Sequence, residues 1–257
     1  MKVSSLQIAV TENDKDATLR KARSLIRNER DVDLIILPEL WNIGFLSFDR
    51  YLSEAEDEEG PTLTCLKELA VEVNAYIHTG SFVESDNGCY YNTSYLLSPQ
   101  GSILGKYRKI HLFGFNSQET QILKPGCDVT VVDTPLGKLG MATCYDLRFP
   151  ELFRRMTAMG AELLLVCSAW PYPRLEAWIM LNRVRALENQ VFLVSANSVG
   201  PNRAGTFVGH SMAVDPWGTI MRSGGDEEAV LRTEFDPAAV GEIRKRFPAW
   251  SDRTDWL

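Results

Sequence analysis

The stretch Leu139-Gly140-Met141-Ala142-Thr143-Cys144-Tyr145-Asp146-Leu147-Arg148-Phe149-Pro150-Glu151 reads as a strand that stops at a cysteine, a bend, and a helix with proline near its first turn. That helix runs to residue 158, and a buried strand follows at 162–166. Upstream the same strand–helix–strand order occurs at 3–10, at a helix opened by Asn13 or Asp14, and at Leu34-Ile35-Ile36-Leu37. In that helix Ala17, Leu19, Ala22, Leu25 and Ile26 recur at helical spacing. The unbroken apolar run at 34–37 marks a strand covered on both faces. Further helices are expected at 63–73, at 174–188, and from Asp236-Pro237 to 246. Hairpins are expected at 91–97 with 102–107, at 129–134 with 138–143, and at 207–214 with 219–222. Single strands at 76–84, 190–196 and 229–234 complete the pattern. Strands outnumber helices and occur in both kinds of unit, which predicts an α/β fold with a mixed sheet, or two sheets, and helices outside. No linker divides residues 1–257, so one domain is expected.

Composition removes several function classes. The chain has 257 residues, 45% hydrophobic and 24% charged, with 27 Lys and Arg against 34 Asp and Glu. A net charge of -7 argues against a broad nucleic-acid or anionic-membrane surface and leaves room for a local basic pocket. The cysteines at 65, 89, 127, 144 and 167 are odd in number and scattered, unlike a disulfide framework or a zinc site. His78, His111 and His210 lack ligand spacing, and no dinucleotide or Walker motif occurs, so no metal or cofactor is expected. The first ten residues carry no long apolar stretch, so no signal peptide is expected, and no stretch of the sequence approaches the roughly 18 apolar residues of a membrane span. A reduced, cytoplasmic protein follows as the expectation.

Three segments place a reactive side chain at a strand end. Glu39 follows Leu34-Ile35-Ile36-Leu37-Pro38, where a carboxylate in partly apolar surroundings can serve as a base; the alternative is a capping or surface glutamate. In Gly105-Lys106-Tyr107-Arg108-Lys109-Ile110-His111, alternation sets Tyr107 and Lys109 on one face, opposite Lys106 and Arg108. Lys109 there can hold an oxyanion or lower a thiol's pKa, against the alternative of a solvated basic strand edge. Cys144 stands at the strand-to-helix bend, projecting from the sheet near free backbone N–H groups. Cys167 and Cys65 fit ordinary small core residues, and Cys89 and Cys127 lie beside glycines in loops.

In this order the segments Leu-Pro-Glu-Leu-Trp, Tyr-Arg-Lys-Ile-His-Leu-Phe and Cys-Tyr-Asp-Leu-Arg-Phe-Pro-Glu resemble the blocks of the carbon–nitrogen hydrolase (nitrilase-like) superfamily. The likeness continues through Ser168-Ala169-Trp170-Pro171, residues 183–190, and Gly209-His210-Ser211 to Asp215-Pro216-Trp217-Gly218. It implies a four-layer α-β-β-α sandwich that dimerises so that the layers continue across the interface. It also implies Glu39 as general base, Lys109 as stabiliser of the tetrahedral intermediate, Cys144 as nucleophile and Glu119 as a second active-site glutamate. A nearby ammonium is expected to make the thiolate available near neutral pH.

Tyr145 to Pro150 with Ala169-Trp170-Pro171 look most like the ω-amidase branch, whose substrates are ω-amides of short dicarboxylates such as 2-oxoglutaramate. Such a substrate needs a cation for its carboxylate, and Arg148 and Arg174 are the candidates. For Arg148 the competing reading is a structural pair with Asp146 or Glu151. Trp41, Tyr145 and Trp170 are candidate pocket walls, against the alternative of ordinary core. Deaminated glutathione amidase, carbamoyl-amine hydrolase, aliphatic amidase and nitrilase activities use the same three residues. Two readings of a different class stand beside these: a serine hydrolase using Ser211, His210 and Asp215, and a catalytically inactive binding protein. The aromatic tail at 247–257 is expected to pack on its own core or a partner subunit.

Overall fold

The computed structural model describes residues 1–11, 13–203 and 205–254. The chain opens with β1 (Lys2–Gln7), α1 (Lys15–Arg27), β2 (Leu34–Ile36), α2 (Pro61–Val73) and β3 (Tyr76–Asp86). Asp14 caps α1 by accepting the Ala17 N–H at 2.7 Å, and Pro61 opens α2, where a missing N–H costs nothing. β1, β2 and β3 run parallel. The hairpin strands β4 (Cys89–Leu97) and β5 (Ile103–Arg108) extend them antiparallel.

After the short α3 (Glu119–Ile122) the pattern repeats with β6 (Val131–Thr134), β7 (Gly137–Thr143), α4 (Pro150–Ala158), β8 (Leu163–Ser168), α5 (Leu175–Asn189) and β9 (Phe192–Asn197). β7, β8 and β9 are parallel. β10 (Val199–Asn202) and β11 (Gly205–Val208) form a separate ribbon, and β12 (Met212–Val214) and β13 (Ile220–Ser223) complete the second sheet. β14 (Ala229–Glu234) crosses back to pair antiparallel with β1, ahead of α6 (Ala239–Arg246). The result is two six-stranded sheets, ordered β14-β1-β2-β3-β4-β5 and β13-β12-β9-β8-β7-β6.

Strand alternation explains the layers. Ile35 and Leu37 pack outward with Ala22 and Ile26 of α1 and Leu63, Leu66 and Leu69 of α2. Leu34 and Ile36 point the other way, into a core shared with Leu139, Met141, Leu163 and Leu165 of the second sheet. Phe153 and Met156 of α4 and Trp178 and Ala186 of α5 belong to that second core. The architecture is the expected four-layer α-β-β-α sandwich.

One expected element is interrupted. Residues 207–214 do not form a continuous strand, because Gly209 and His210 both take positive φ (65° and 47°) and break it into β11 and β12. Of the expected aromatic tail, Trp250 lies under the Arg253 guanidinium, 3.3 Å from the ring centroid, and its N–H donates to Gln190. Trp256 and Leu257 lie outside the described residues. Among the described residues no helix is long and apolar enough to cross a membrane.

Candidate active site

The ends of β2, β5, β7 and β8 meet where the two sheets face each other. Glu39 leaves β2 through Pro38 and is fully buried, with its N–H on the Ser168 carbonyl (3.2 Å) at the end of β8. Its Oε2 accepts the Ala169 N–H at 3.0 Å, so the carboxylate bridges from the first sheet to the second. Its Oε1 accepts Lys109 Nζ and Asn92 Nδ2, each at 2.8 Å. Lys109 continues β5, held by its N–H to the Asn92 carbonyl at 2.9 Å. Its ammonium also contacts both oxygens of Glu119, at 3.0 and 3.1 Å. Glu119 opens α3, accepts the Phe113 N–H at 2.7 Å and shares the Asn92 amide at 3.0 Å.

Cys144 sits on the bend itself, the first residue of a 3₁₀ turn spanning Cys144–Arg148, with φ of 46°. A side chain rarely holds that backbone without outside support. Asp146 supplies it: its buried carboxylate accepts the Thr143 N–H (2.8 Å), the Tyr107 hydroxyl (2.7 Å) and the His111 N–H (3.1 Å), and lies 2.7 Å from His111 Nδ1. His111 in turn stacks on Phe149 with centroids 3.7 Å apart. The cysteine turn is thereby fastened to the segment that carries Lys109. The alternation expected in β5 holds: Tyr107 and Lys109 face inward, while Lys106 and Arg108 face outward and pair with Glu84.

The electrostatics differ from the expected ready thiolate. Burial, reinforced by the Glu39 charge, pushes the Cys144 thiol well above its ordinary range, and Lys109 and Ser168 only partly offset this. Burial pulls the Lys109 ammonium down, but Glu119 and Glu39 together outweigh it and hold the charge firmly. Glu119 is raised, first by burial and then by repulsion from Glu39. The Cys144 thiol thus lies buried beside a cluster of two carboxyl groups and one ammonium, and its surroundings favour the protonated sulfur.

A narrow pocket descends to Cys144 between Phe45, Phe113, Tyr145, Ala169, Trp170, Pro171, Arg148 and Arg174. Of the residues singled out in the sequence, Tyr145, Trp170, Arg148 and Arg174 line this pocket. Trp41 is not: Leu40 takes φ of 45°, and the Trp41 indole turns into the outer core, donating to the Thr79 carbonyl at 2.8 Å. Arg148 pairs with neither Asp146 nor Glu151; its guanidinium lies 5.0 Å from the Trp170 ring centroid. Arg174 lies 5.7 Å from the Phe113 centroid, and its carbonyl accepts the Trp170 indole N–H at 3.0 Å. Neither arginine makes a salt bridge among the described residues.

Sequence reading missed Phe45, Phe113 and Asn92. Phe45 and Phe113 come from irregular loops without periodicity. Asn92, inside β4, had a signal only in being a polar residue on an otherwise covered strand. Tyr51 was missed too: its buried hydroxyl donates to the Phe45 carbonyl at 2.6 Å and holds that wall in place.

The serine arrangement is not assembled. Ser211 Oγ accepts the Asn197 N–H (2.9 Å), His210 faces Asp226 (3.2 Å), and Asp215 caps its own turn at Trp217 and Thr219. Among the described residues no group of three His, Cys, Asp or Glu side chains is placed to hold a metal ion.

Comparison with known proteins agrees with this geometry. A 2-oxoglutaramate amidase of Paenarthrobacter nicotinovorans is 36% identical over 262 residues, covering 96% of this chain and 89% of that protein. The human omega-amidase NIT2 is 34% identical, covering 96% and 92%. The crystal structure of Saccharomyces cerevisiae Nit3, a nitrilase-superfamily member, superposes with a TM-score of 0.91 at 30% identity, covering 100% of this chain and 97% of that one. The carbon–nitrogen hydrolase profile matches residues 2–245. With sheets, strand ends and near full-length kinship in agreement, this chain belongs to the carbon–nitrogen hydrolase family.

Proposed function

We propose that the protein hydrolyses the ω-amide of a short dicarboxylate, such as 2-oxoglutaramate, to the dicarboxylate and ammonia through a thioester on Cys144. The observation that carries this reading is the pocket itself, with a sulfur at its foot and, in its wall, the guanidinium groups of Arg148 and Arg174, which make no salt bridge among the described residues. In this reading the two guanidinium groups meet the substrate carboxylate while the sulfur attacks its amide carbon. The names of the amidase relatives point the same way.

In this mechanism Glu39 accepts the thiol proton as sulfur attacks the amide carbon. An ammonium has three N–H groups. With one on Glu39 and one shared by the Glu119 oxygens, Lys109 keeps a third for the oxyanion, beside the backbone N–H of Tyr145. The proton on Glu39 passes to the departing nitrogen, ammonia leaves, and the thioester remains. Glu39 then takes a proton from water, hydroxide adds to the thioester, and the carboxylic acid departs as the thiol regains its proton. Glu119 holds Lys109 in place.

Five unpaired cysteines suit a reduced, cytoplasmic setting. A homodimer is supported by the large apolar side chains exposed along one face: Met180 and Leu187 of α5, with Trp217 and Phe247 beside them. A monomer in size-exclusion chromatography at micromolar concentration would contradict it.

The function is tested by ammonia release from 2-oxoglutaramate, uncharged aliphatic amides, carbamoyl amines and nitriles. The ω-amide should be hydrolysed fastest, and Cys144→Ala should abolish turnover while keeping the thermal midpoint. Preference for an uncharged amide would overturn the substrate, and an active Cys144→Ala would overturn the nucleophile.

A further inference from the structure

Ser168 ends β8 on the strand parallel to the one that delivers the cysteine. Thr143 pairs with Cys167 in the register of β7 and β8, their side chains 3.4 Å apart, and Cys144 and Ser168 are the next residue of each segment. Both polar groups of its backbone neighbourhood are committed to the base: the Ser168 carbonyl accepts the Glu39 N–H, and the following N–H, of Ala169, donates to Glu39 Oε2. The Ser168 side chain is fully buried, and among the described residues its hydroxyl makes no hydrogen bond. The Cys144 thiol, one residue beyond the paired Thr143 and Cys167, is the group on which this hydroxyl bears.

A buried hydroxyl without a partner is costly and calls for an explanation. A thiol is a weak acceptor, whereas a thiolate is a strong one, so a hydroxyl aimed at sulfur gains little in the resting state and much once the proton has left. Lys109 does not fill this role alone, because its ammonium is spread over two carboxylates.

From this placement we propose that Ser168 is a further catalytic residue: its hydroxyl donates a hydrogen bond to the Cys144 sulfur as Glu39 takes the thiol proton, and keeps its own proton throughout. The inference rests on Cys144 as the nucleophile of the proposed amidase. It adds a third group at sulfur, beside the base and the cation. It also gives the Ser168–Ala169 segment two tasks at once, gripping Glu39 through the backbone and sulfur through the side chain.

The test is the pH dependence of Cys144 alkylation by iodoacetamide in the full-length protein, with the modified residue identified by mass spectrometry. Ser168→Ala should move the alkylation profile up by about one pH unit, equivalent to a tenfold slower reaction near neutral pH. It should lower kcat by a similar factor without a matching change in KM. Ser168→Thr, which keeps the hydroxyl, should restore the profile. A merely structural serine would change the thermal midpoint and leave the alkylation profile where it was. An unshifted profile in a folded Ser168→Ala protein overturns the proposal. Failure of the amidase reading shows separately, as hydrolysis that persists in wild-type protein fully alkylated at Cys144.

Discussion

Replacing Lys109 by methionine removes the only salt-bridge partner that either Glu39 or Glu119 has among the described residues. All three side chains are fully buried, so the loss strands two carboxylates together in a dry site. Asn92 and the N–H groups of Ala169 and Phe113 still donate to them, but these are neutral dipoles. Breaking a buried pair by deleting one partner costs about 3–5 kcal/mol. For a chain of this length, each kcal/mol lowers the midpoint by about 2–4 °C, so a fall of about 6–20 °C is expected at pH 7. The sign with pH follows from Glu119, which burial already raises and which Lys109 now holds down. Without the ammonium its folded pKa climbs further above the unfolded value. The folded state then binds the extra proton, and stability is lost as pH rises and regained as pH falls. Differential scanning calorimetry at pH 7 and pH 5.5 should therefore show the deficit of the variant shrinking on acidification. A variant with the wild-type midpoint, or with a deficit that stays constant between these two pH values, would contradict the account of a cation-dependent carboxylate pair.

Two other outcomes are expected. Arg148→Gln and Arg174→Gln should each raise KM for 2-oxoglutaramate about tenfold while leaving an uncharged amide unaffected, read by ammonia release; equal effects on both substrates would remove the arginines from carboxylate recognition. Burial lowers buried His78 from its ordinary range to about 3. Because this folded pKa is depressed, its contribution is complete above about pH 6.5 and is lost as pH falls toward 3, by about 2–3 kcal/mol at pH 4.5. Urea unfolding should show that His78→Leu loses less stability than wild type between pH 7 and 4.5, and parallel losses would show that the imidazole is not held neutral.

The residues proposed for the chemistry could be picked out because each stands next to a strong local signal. Pro38 ends an apolar run just before Glu39, alternation marks the inward face at Lys109, and the Cys144 bend precedes a proline-led helix. The layers were legible as far as two kinds of strand unit and outer helices, and family resemblance supplied their stacking. What escaped reading depends on backbone turns of one or two residues. The positive φ at Leu40 sends Trp41 into the outer core, and the break at Gly209 and His210 divides a segment that alternates like one strand. Phe45 and Phe113 reach the pocket from loops whose course is set by tertiary packing. The upward push on the Cys144 thiol escaped reading for a different reason: it comes first from burial and then from the Glu39 charge, and charge order along the chain names the cation but not the depth at which the sulfur lies.

Glu39 has its backbone at the end of one sheet and its carboxylate tied to the last peptide of the other. The chemistry is thus mounted on a clasp between two halves of the protein, each of which has its own strands, helices and outer covering. Neither half can keep the reactive geometry after the other has moved away. Catalytic competence should consequently vanish at the earliest separation of the halves in denaturant, before either loses its secondary structure, making turnover a more sensitive gauge of their docking than circular dichroism.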